Sequence, residues 1–209
     1  SFRNPAPVPL DPQVSHTSEH IEHERVVIWT DGSCFAQAEP AYRRAGMGGY
    51  WGQDHPANFG LPIEGANQTN NRAELGAVLR AAQIDNRAIE MRTDSQYVVS
   101  RFPFCSSFTD ASWKGTNADL WLQLATLVRA CPGRITVTKV LGHAEWSDVC
   151  AGHVNLLDKV GNALADGLAR GGSDSHAMVP FIQERARERR RVTGIVQRVS
   201  VNILSERGV

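Results

Sequence analysis

Two short stretches of the sequence decide the fold: Thr-Asn-Asn-Arg-Ala-Glu-Leu at residues 69–75 and Thr-Asp-Ser-Gln-Tyr-Val at residues 93–98. In the first, Thr69 is a suitable N-cap, and alanine and leucine residues at helical spacing follow it, which predicts a helix. The second joins the end of a short strand to the start of a short helix. Each stretch carries an acidic side chain, Glu74 or Asp94, near a junction between elements.

Further strands and helices are predicted on both sides of these stretches. Apolar residues alternate or cluster in the predicted strands, and they recur every three to four residues in the predicted helices. The order, βββαβααβα, is typical of an α/β fold in which helices pack on a mixed sheet. The predicted strands cover residues 25–30, 45–51, 58–63, 88–93 and 134–141. One predicted helix begins at Thr69, and the other three cover residues 95–102, 117–130 and 160–169.

The composition is that of a globular protein. Of 209 residues, 42% are hydrophobic and 21% are charged, which excludes a wholly disordered, fibrous or membrane-embedded chain. The 22 basic and 22 acidic side chains give a net charge of zero. Neutrality argues against a simple basic clamp for nucleic acid, but an acidic metal site can cancel a basic surface.

Charge divides the chain into three parts. Residues 1–24 carry a net charge of −3, residues 25–172 carry 14 basic and 14 acidic side chains, and residues 173–209 carry a net charge of +3. We interpret them as a flexible N-terminal leader, a catalytic domain and a basic helical C-terminal extension. Three histidines in and near the leader, His16, His20 and His23, are assigned to it rather than to a metal site.

The cysteines and the apolar segments bear on location. The four cysteines are widely spaced without a CxxC pair, which predicts reduced thiols and an intracellular protein. No apolar run approaches the roughly 20 residues that a membrane helix needs, and no signal-peptide pattern opens the sequence. The sequence does not distinguish nucleus, cytoplasm or organelle.

Four acidic residues are placed where they can converge. Asp31 and Asp94 follow strands, Glu74 lies in the first long helix, and Asp166 lies in the last. Individually they have ordinary interpretations: Asp31 as a turn residue, Asp94 as an N-cap, and the other two as helix-surface residues. Together, clustered carboxylates favour Mg²⁺ or Mn²⁺, and two such ions can promote phosphodiester cleavage.

Six motifs occur in an order that resembles type 1 ribonuclease H. The resemblance covers residues 25–172 and implies a ribonuclease H-like fold, with a five-stranded mixed sheet of three antiparallel strands followed by parallel additions, flanked by helices. The motifs are Thr-Asp-Gly-Ser (30–33), Thr-Asn-Asn-Arg-Ala-Glu-Leu (69–75), Thr-Asp-Ser-Gln-Tyr-Val (93–98), Asn-Ala-Asp-Leu-Trp (117–121), Gly-His (142–143) and Asn-Ala-Leu-Ala-Asp-Gly-Leu-Ala (162–169).

The resemblance implies hydrolysis of the RNA strand of RNA–DNA hybrids by a two-metal mechanism that leaves 3′-hydroxyl and 5′-phosphate ends. It implies that Asp31, Glu74, Asp94 and Asp166 bind two Mg²⁺ ions, for which Mn²⁺ can substitute. It also implies that His143 relays a proton or helps the product to leave. The implied contacts to the hybrid are Gly32, Ser33, Asn70, Asn71, Gln96 and Asn162, whose amides and hydroxyl suit the 2′-hydroxyls and base edges of the minor groove.

Two departures from the family pattern concern substrate binding. The interval 104–116, where many members have a basic helix and loop, contains only Lys114 as a base. The loop after the first strand reads Phe-Ala-Gln at residues 35–37 instead of Gly-Asn. These differences predict that this chain binds its hybrid weakly or gains affinity elsewhere.

A third departure lies between His143 and Asp166, which are further apart than in the compact family loop. Asp158 is an alternative fourth ligand, although Asp166 fits the motif better. Cys150 and His153 have the spacing of half a zinc site without a partner pair, so we interpret them as ordinary loop residues.

Two alternatives concern the whole chain. The extension at 173–209 is either a phosphate-binding arm or, as we favour, a helix that packs on a further domain or protein partner. The chain is either an active hybrid ribonuclease or a non-catalytic module that binds hybrids or a partner. Its flanks also permit a domain of a retroelement polyprotein.

Overall fold

The computed structural model describes residues 19–36, 42–109, 115–176, 188–189 and 191–201. The chain divides into two compact units, Ser1–Ser175 and His176–Val209. Parts of the sequence predictions therefore lie outside the described residues: His16 and the leader to residue 18, Gln37, Lys114, and most of the basic run at 184–191.

The first unit combines strands and helices in the order that the sequence predicts, with a short strand added before the first predicted strand and a short helix added before the last predicted helix. In its described part the strands are β1 (His20–Glu22), β2 (Arg25–Phe35), β3 (Arg44–Tyr50), β4 (Phe59–Pro62), β5 (Ile89–Thr93) and β6 (Ile135–Lys139). The α-helices are α1 (Asn70–Ile84), α2 (Gln96–Arg101), α3 (Ala118–Ala130), α4 (Trp146–Cys150) and α5 (Leu156–Asp174), and a 3-10 helix at Phe102–Ser107 follows α2.

The strands form one mixed sheet in the order β4-β3-β2-β5-β6. The neighbours on the β4 side of β2 are antiparallel, whereas β5 and β6 continue from β2 in parallel. This topology confirms the predicted five-stranded mixed α/β sheet. The parallel register pairs Thr30 of β2 with Thr93 of β5, so that the next residues, Asp31 and Asp94, leave neighbouring strands side by side.

Strand β1 is an addition that the sequence analysis assigned to the leader. It pairs antiparallel with β2, His20 opposite Val27. Glu19 before it is also held: its carboxylate is buried, accepts two hydrogen bonds from Arg87 and is hydrogen-bonded to His55. Three residues are too few to show a periodicity, so the pattern gave no sign of this strand.

Helix α5 is longer than the sequence predicted, and it lies directly on the sheet. It begins at Leu156 because the Asn155 side chain caps it, accepting from the amide of Leu157 at 2.9 Å. A Cβ at Gly46 or Gly48 of β3 would come within 2.1–2.2 Å of the α5 backbone. Glycines in the sheet therefore allow the helix to approach at backbone distance.

The sheet separates two apolar layers. Helices α1 and α3 pack on one face around a large core that includes Ile28, Leu75 and Trp121. On the other face α5 contributes Ala165 to a smaller cluster with Val27 and Trp29. This arrangement leaves the carboxyl ends of β2 and β5 open between α1 and α5.

The second unit contains a helix at residues 191–201, in which Arg191 pairs with Glu188. Its apolar side chains are exposed, Val196 and Val199 among them. Among all the helices of the described residues, none combines the length and the apolarity needed to cross a bilayer. All four cysteines are free thiols.

Candidate active site

Asp31 lies in β2, one residue beyond its last pairing with β5. Its carboxylate is only 5% exposed and accepts a hydrogen bond from the amide of Gly32 at 2.7 Å. A Cβ on Gly32 would lie 2.3 Å from the amide nitrogen of Glu74. The absence of a side chain at Gly32 therefore lets the first turn of α1 reach the strand.

Helix α1 places Glu74 next to Asp31. Thr69 caps this helix as predicted, its hydroxyl accepting from the amide of Arg72 at 3.3 Å. The Glu74 carboxylate is buried: Oε1 accepts from the Asn70 amide at 3.3 Å, and Oε2 has no hydrogen-bond partner among the described residues. A buried carboxylate oxygen without a hydrogen-bond partner is a position at which a cation would be bound.

Asp94 follows β5, and its surroundings come from three elements. Ser95, rather than Asp94, caps α2, accepting from the amide of Val98 at 3.4 Å. The Asn162 amide of α5 lies 3.5 Å from Asp94 Oδ2, and a Cβ on Gly142 would lie 2.3 Å from the same oxygen. Asp94 is thus packed between α5 and the loop after β6.

The three carboxylates form a cluster. One oxygen each of Asp31, Glu74 and Asp94 lies within 4.8 Å of the others. Burial and the charge of Asp94 raise the pKa of Asp31 to about 7, with a smaller contribution from Asp166. Burial, followed by the charges of Asp31 and Asp94, raises the pKa of Glu74 well above its ordinary value. Mutual repulsion of this kind favours a cation among the carboxylates.

The cluster lies in an open cavity of about 510 Å³. The cavity contains every predicted site residue except Asn162. It is lined by Asp31, Gly32, Ser33, Cys34, Asn70, Asn71, Glu74, Asp94, Ser95, Gln96, Tyr97, His143, Asp166 and Arg170.

Asp166 lies at the cavity but outside the close cluster. Its carboxylate pairs with Arg170, one turn further along α5, at 2.5 Å. The alternative ligand Asp158 is placed elsewhere: it accepts from Trp29 Nε1 at 3.0 Å and from Arg92 at 2.8 Å. The structure therefore places Asp166, not Asp158, beside the other three acids.

His143 lies on the loop between β6 and α4. It is exposed, lines the cavity and has a left-handed backbone with φ of 51°. Cys150 and His153, which the sequence analysis interpreted as ordinary loop residues, lie at the end of α4 and just after it, and His153 Nδ1 lies 4.0 Å from a carboxylate oxygen of Asp148.

Asn162 is the predicted site residue that the structure places behind the cavity wall. It is 5% exposed, its amide points to Asp94, and its Oδ1 has no hydrogen-bond partner among the described residues. Its contact is thus with a carboxylate of the cluster.

The donor set fits a hard divalent cation. Carboxylate oxygens are the ligands that Mg²⁺ and Mn²⁺ prefer, and the cluster contains no thiolate or imidazole. Such an ion would be coordinated by Glu74 Oε2, which has no hydrogen-bond partner among the described residues. Asp31, Glu74 and Asp94 would hold it, with Asp166 in reach of the same cavity.

Comparison with known proteins agrees with this geometry. The sequence pattern of the RNase H family matches residues 23–174, which is most of the chain. The chain belongs to the RNase H family.

Relatives of this RNase H domain include ribonuclease H1 of Homo sapiens, which is 30% identical over 173 residues, 78% of this chain and 54% of the human protein. Ribonuclease H of Cupriavidus pinatubonensis is 34% identical over 165 residues, 74% of this chain and 99% of the bacterial protein. The chain spans between 50% and 60% of the four eukaryotic relatives that it matches.

The fold agrees with that of solved structures. The prototype foamy virus protease–reverse transcriptase superimposes with a TM-score of 0.56 at 24% identity, over 78% of this chain and 23% of the viral chain. At this identity the likeness shows the fold alone.

Several residues of the RNase H motifs hold elements together, and one of them, Tyr97, also lines the cavity. Arg72 of α1 forms a two-pronged ion pair with Asp119 of α3, at 2.9 and 2.6 Å. Tyr97 accepts from Trp121 Nε1 at 2.9 Å and donates to the carbonyl of Thr116. These contacts fix the two helices beside the site.

The sequence analysis missed four cavity residues: Cys34, Ser95, Tyr97 and Arg170. A signal for Arg170 was present, since it follows Asp166 by four residues on a helix, the spacing of an ion pair. No pattern distinguished Tyr97 from a core aromatic residue.

Proposed function

We propose that this protein is a divalent-metal-dependent endoribonuclease that hydrolyses the RNA strand of RNA–DNA hybrids. The observation that carries the proposal is the cluster of three carboxylates within 4.8 Å, with one buried oxygen left unpartnered, in an open cavity. Membership of the RNase H family and the names of its relatives support the same substrate.

The four acids divide into two groups. Asp31, Glu74 and Asp94 are already close together, and Asp166 approaches from α5. We assign all four as ligands of two Mg²⁺ ions, with Mn²⁺ as a substitute. Bound divalent ions supply activation of water and neutralisation of charge on the phosphate, and cleavage leaves 3′-hydroxyl and 5′-phosphate ends.

His143 is assigned to proton transfer at the rim of the cavity. Its imidazole is exposed on a loop, so it can exchange protons with solvent close to the carboxylates. It would take a proton from water entering the site or give one to the departing oxygen.

Recognition of the hybrid is assigned to the polar groups around the carboxylates. Asn70, Asn71 and Gln96 line the cavity and can each donate and accept toward a 2′-hydroxyl or a base edge. Ser33 and the backbone at Gly32 border Asp31 and are placed to meet the sugar or the phosphate near the cut.

The experiment compares cleavage of an RNA–DNA hybrid, duplex RNA and duplex DNA by the full chain, with Mg²⁺ and with EDTA. We expect Mg²⁺-dependent cleavage of the hybrid alone, and a loss of at least about 100-fold in kcat for Asp94→Asn. Asp54→Asn is the matched control because Asp54 is exposed and distant from the cavity.

Two results would contradict the proposal. Unchanged hybrid cleavage by Asp94→Asn would remove the assignment of the carboxylate cluster. Hybrid binding without cleavage under Mg²⁺ or Mn²⁺ would indicate the non-catalytic module instead.

A further inference from the structure

Arg92 of β5 gathers carboxylates from three separate elements. Its side chain is only 8% exposed. Nη1 donates to Asp158 of α5 at 2.8 Å, Nε donates to Glu90 at 3.2 Å, and Nη2 pairs with Glu22 of β1. Charge-assisted hydrogen bonds in a nearly buried site are stronger and better oriented than those on a surface.

The same contact fixes the first turns of α5 on the sheet. Asp158 Oδ1 also accepts from the buried indole Nε1 of Trp29 at 3.0 Å. One turn further along, a Cβ at Gly161 would lie only 2.2 Å from the Trp29 ring, so the helix backbone rests against the indole. The contacts of Asp158 and Trp29 therefore help to fix the distance of α5 from the sheet and its rotation about the helix axis.

Asp166 depends on that placement. Asp158, Asn162 and Asp166 follow each other at intervals of four residues, so they lie along one side of α5, about 12 Å from first to last. The carboxylate of Asp166 forms its ion pair with Arg170 of the same helix. Its position relative to Asp31, Glu74 and Asp94 is consequently set by where the helix lies.

We propose that Arg92 and Asp158 are positioning residues that hold Asp166 next to the other three carboxylates. Glu22 of β1 supports them by pairing with Arg92. Glu22 of β1, which precedes the predicted catalytic domain, is then part of the support of the active site. This inference rests on the proposed function, since it assumes that Asp166 is a ligand.

The test replaces Asp158 in the full chain and measures two quantities. Asp158→Ala removes the acceptor, and Asp158→Asn keeps an oxygen for Trp29 and Arg92 but loses the charge. For Asp158→Ala we expect about a tenfold fall in kcat with little change in KM for the hybrid, because a misplaced ligand affects the reacting centre more than substrate binding. Asp158→Asn should recover part of the loss.

The second measurement is Mg²⁺ binding without hybrid, by calorimetric titration. Asp158→Ala should raise the Mg²⁺ concentration needed to fill the Asp166-dependent site several-fold. Glu22→Gln should shift it in the same direction by less, since its carboxylate acts through Arg92. The matched control is Glu19→Gln, which breaks a buried pair with Arg87 that does not involve α5.

The outcomes separate this inference from the proposed function. If Asp166→Asn abolishes cleavage while Asp158→Ala keeps wild-type kcat and Mg²⁺ binding, the positioning role is overturned and the function stands. If Asp166→Asn itself behaves as wild type, its role as a ligand fails. If Asp158→Ala does not fold, kcat and Mg²⁺ binding of Asp158→Asn and Glu22→Gln decide the question. The proposal is also overturned if Glu19→Gln shifts Mg²⁺ binding as much as Glu22→Gln does.

Discussion

Asp31 shows most clearly how a single residue carries the conflict between stability and function in this protein. An aspartate normally titrates near pH 3.8, but burial and the charge of Asp94 raise the pKa of Asp31 to about 7. The folded chain therefore binds a proton between about pH 4 and pH 7 that the unfolded chain has released. In that range the metal-free protein loses stability as the pH rises.

Replacing Asp31 should consequently stabilise the metal-free protein while removing its activity. At pH 8 in EDTA, we expect Asp31→Asn to increase the free energy of unfolding by roughly 1–3 kcal/mol, since a buried charge is removed. The measurement is chemical unfolding followed by circular dichroism. Asp54→Asn serves as the control, and a lower stability of Asp31→Asn than of the wild type would contradict the expectation.

Mg²⁺ should reverse the same pH dependence. Without metal, the melting temperature should fall as the pH is raised from 5 to 8, because Asp31 loses its proton next to Asp94 over this range. With Mg²⁺ the melting temperature should rise at pH 8 and change little at pH 5, where protons compete with the ion. Thermal unfolding at the two pH values, with and without metal, checks both directions.

The sequence predicted which acidic residues form the site better than it predicted the contacts that those residues make. Asp31, Glu74 and Asp94 were predictable because each lies in or directly after an element whose type the pattern shows. The choice of Asp166 over Asp158 rested on the family motif. The structure gives a physical reason for it, since Asp158 is engaged by Arg92 and Trp29 across distances in sequence that no local pattern reveals.

Helix α5 is the element on which the site depends, and its glycines have different roles. Gly161 lies against the Trp29 ring and has no room for a side chain, whereas Gly167 has nothing within 4 Å of its Cβ position. Both are helical and neither has a positive φ. Only the surroundings of the two positions differ.

The two glycines of α5 should respond to alanine in opposite ways. Gly167→Ala should stabilise the protein by about 0.5–1 kcal/mol, since alanine favours the helix. Gly161→Ala should destabilise it by about 1–3 kcal/mol, because the methyl group forces α5 away from Trp29, and it should also lower kcat. Thermal unfolding and hybrid cleavage of the pair test this, and a stabilised Gly161→Ala would contradict the close contact.

Element boundaries were predictable where caps and periodicity agree, as at Thr69. The start of α2 was predicted to within one residue, although its cap is Ser95 and not Asp94. Boundaries were not predictable for β1, which is three residues long, or for the start of α5, where Asn155 caps a turn whose apolar residues are exposed. The predicted last helix ended at residue 169. The helix continues to Asp174 because Gly172 packs against the backbone of Leu61.

The molecule as a whole is neutral because differently charged parts cancel. Within residues 25–172 the 14 acidic side chains include the four proposed ligands, so the remainder carries a net charge of +4. Two bound Mg²⁺ ions would bring the loaded domain to the same value. The neutral total thus conceals a surface that becomes attractive to a polyanion when metal binds.

All the cavity residues belong to the first unit, which ends at Ser175. A chain of residues 1–175 should therefore keep the melting temperature of the full chain. Its kcat should stay within about twofold of the full chain's value. KM at two salt concentrations then distinguishes the two interpretations of the extension. A higher KM with a weaker salt dependence indicates a phosphate-binding arm, and an unchanged KM favours a protein partner for the exposed valines of residues 191–201.

The parallel pairing of Thr30 with Thr93 has a consequence for how this family can vary in length. Successive residues of a strand point to opposite faces, so deletion of one residue within β2 or β5 would turn one of the proposed metal ligands toward the opposite layer. Insertions and deletions are therefore tolerable only where they leave that pairing untouched. The segment from His143 to Asn155 is such a place, because the first turns of α5 are anchored to the sheet independently of the loop that precedes them.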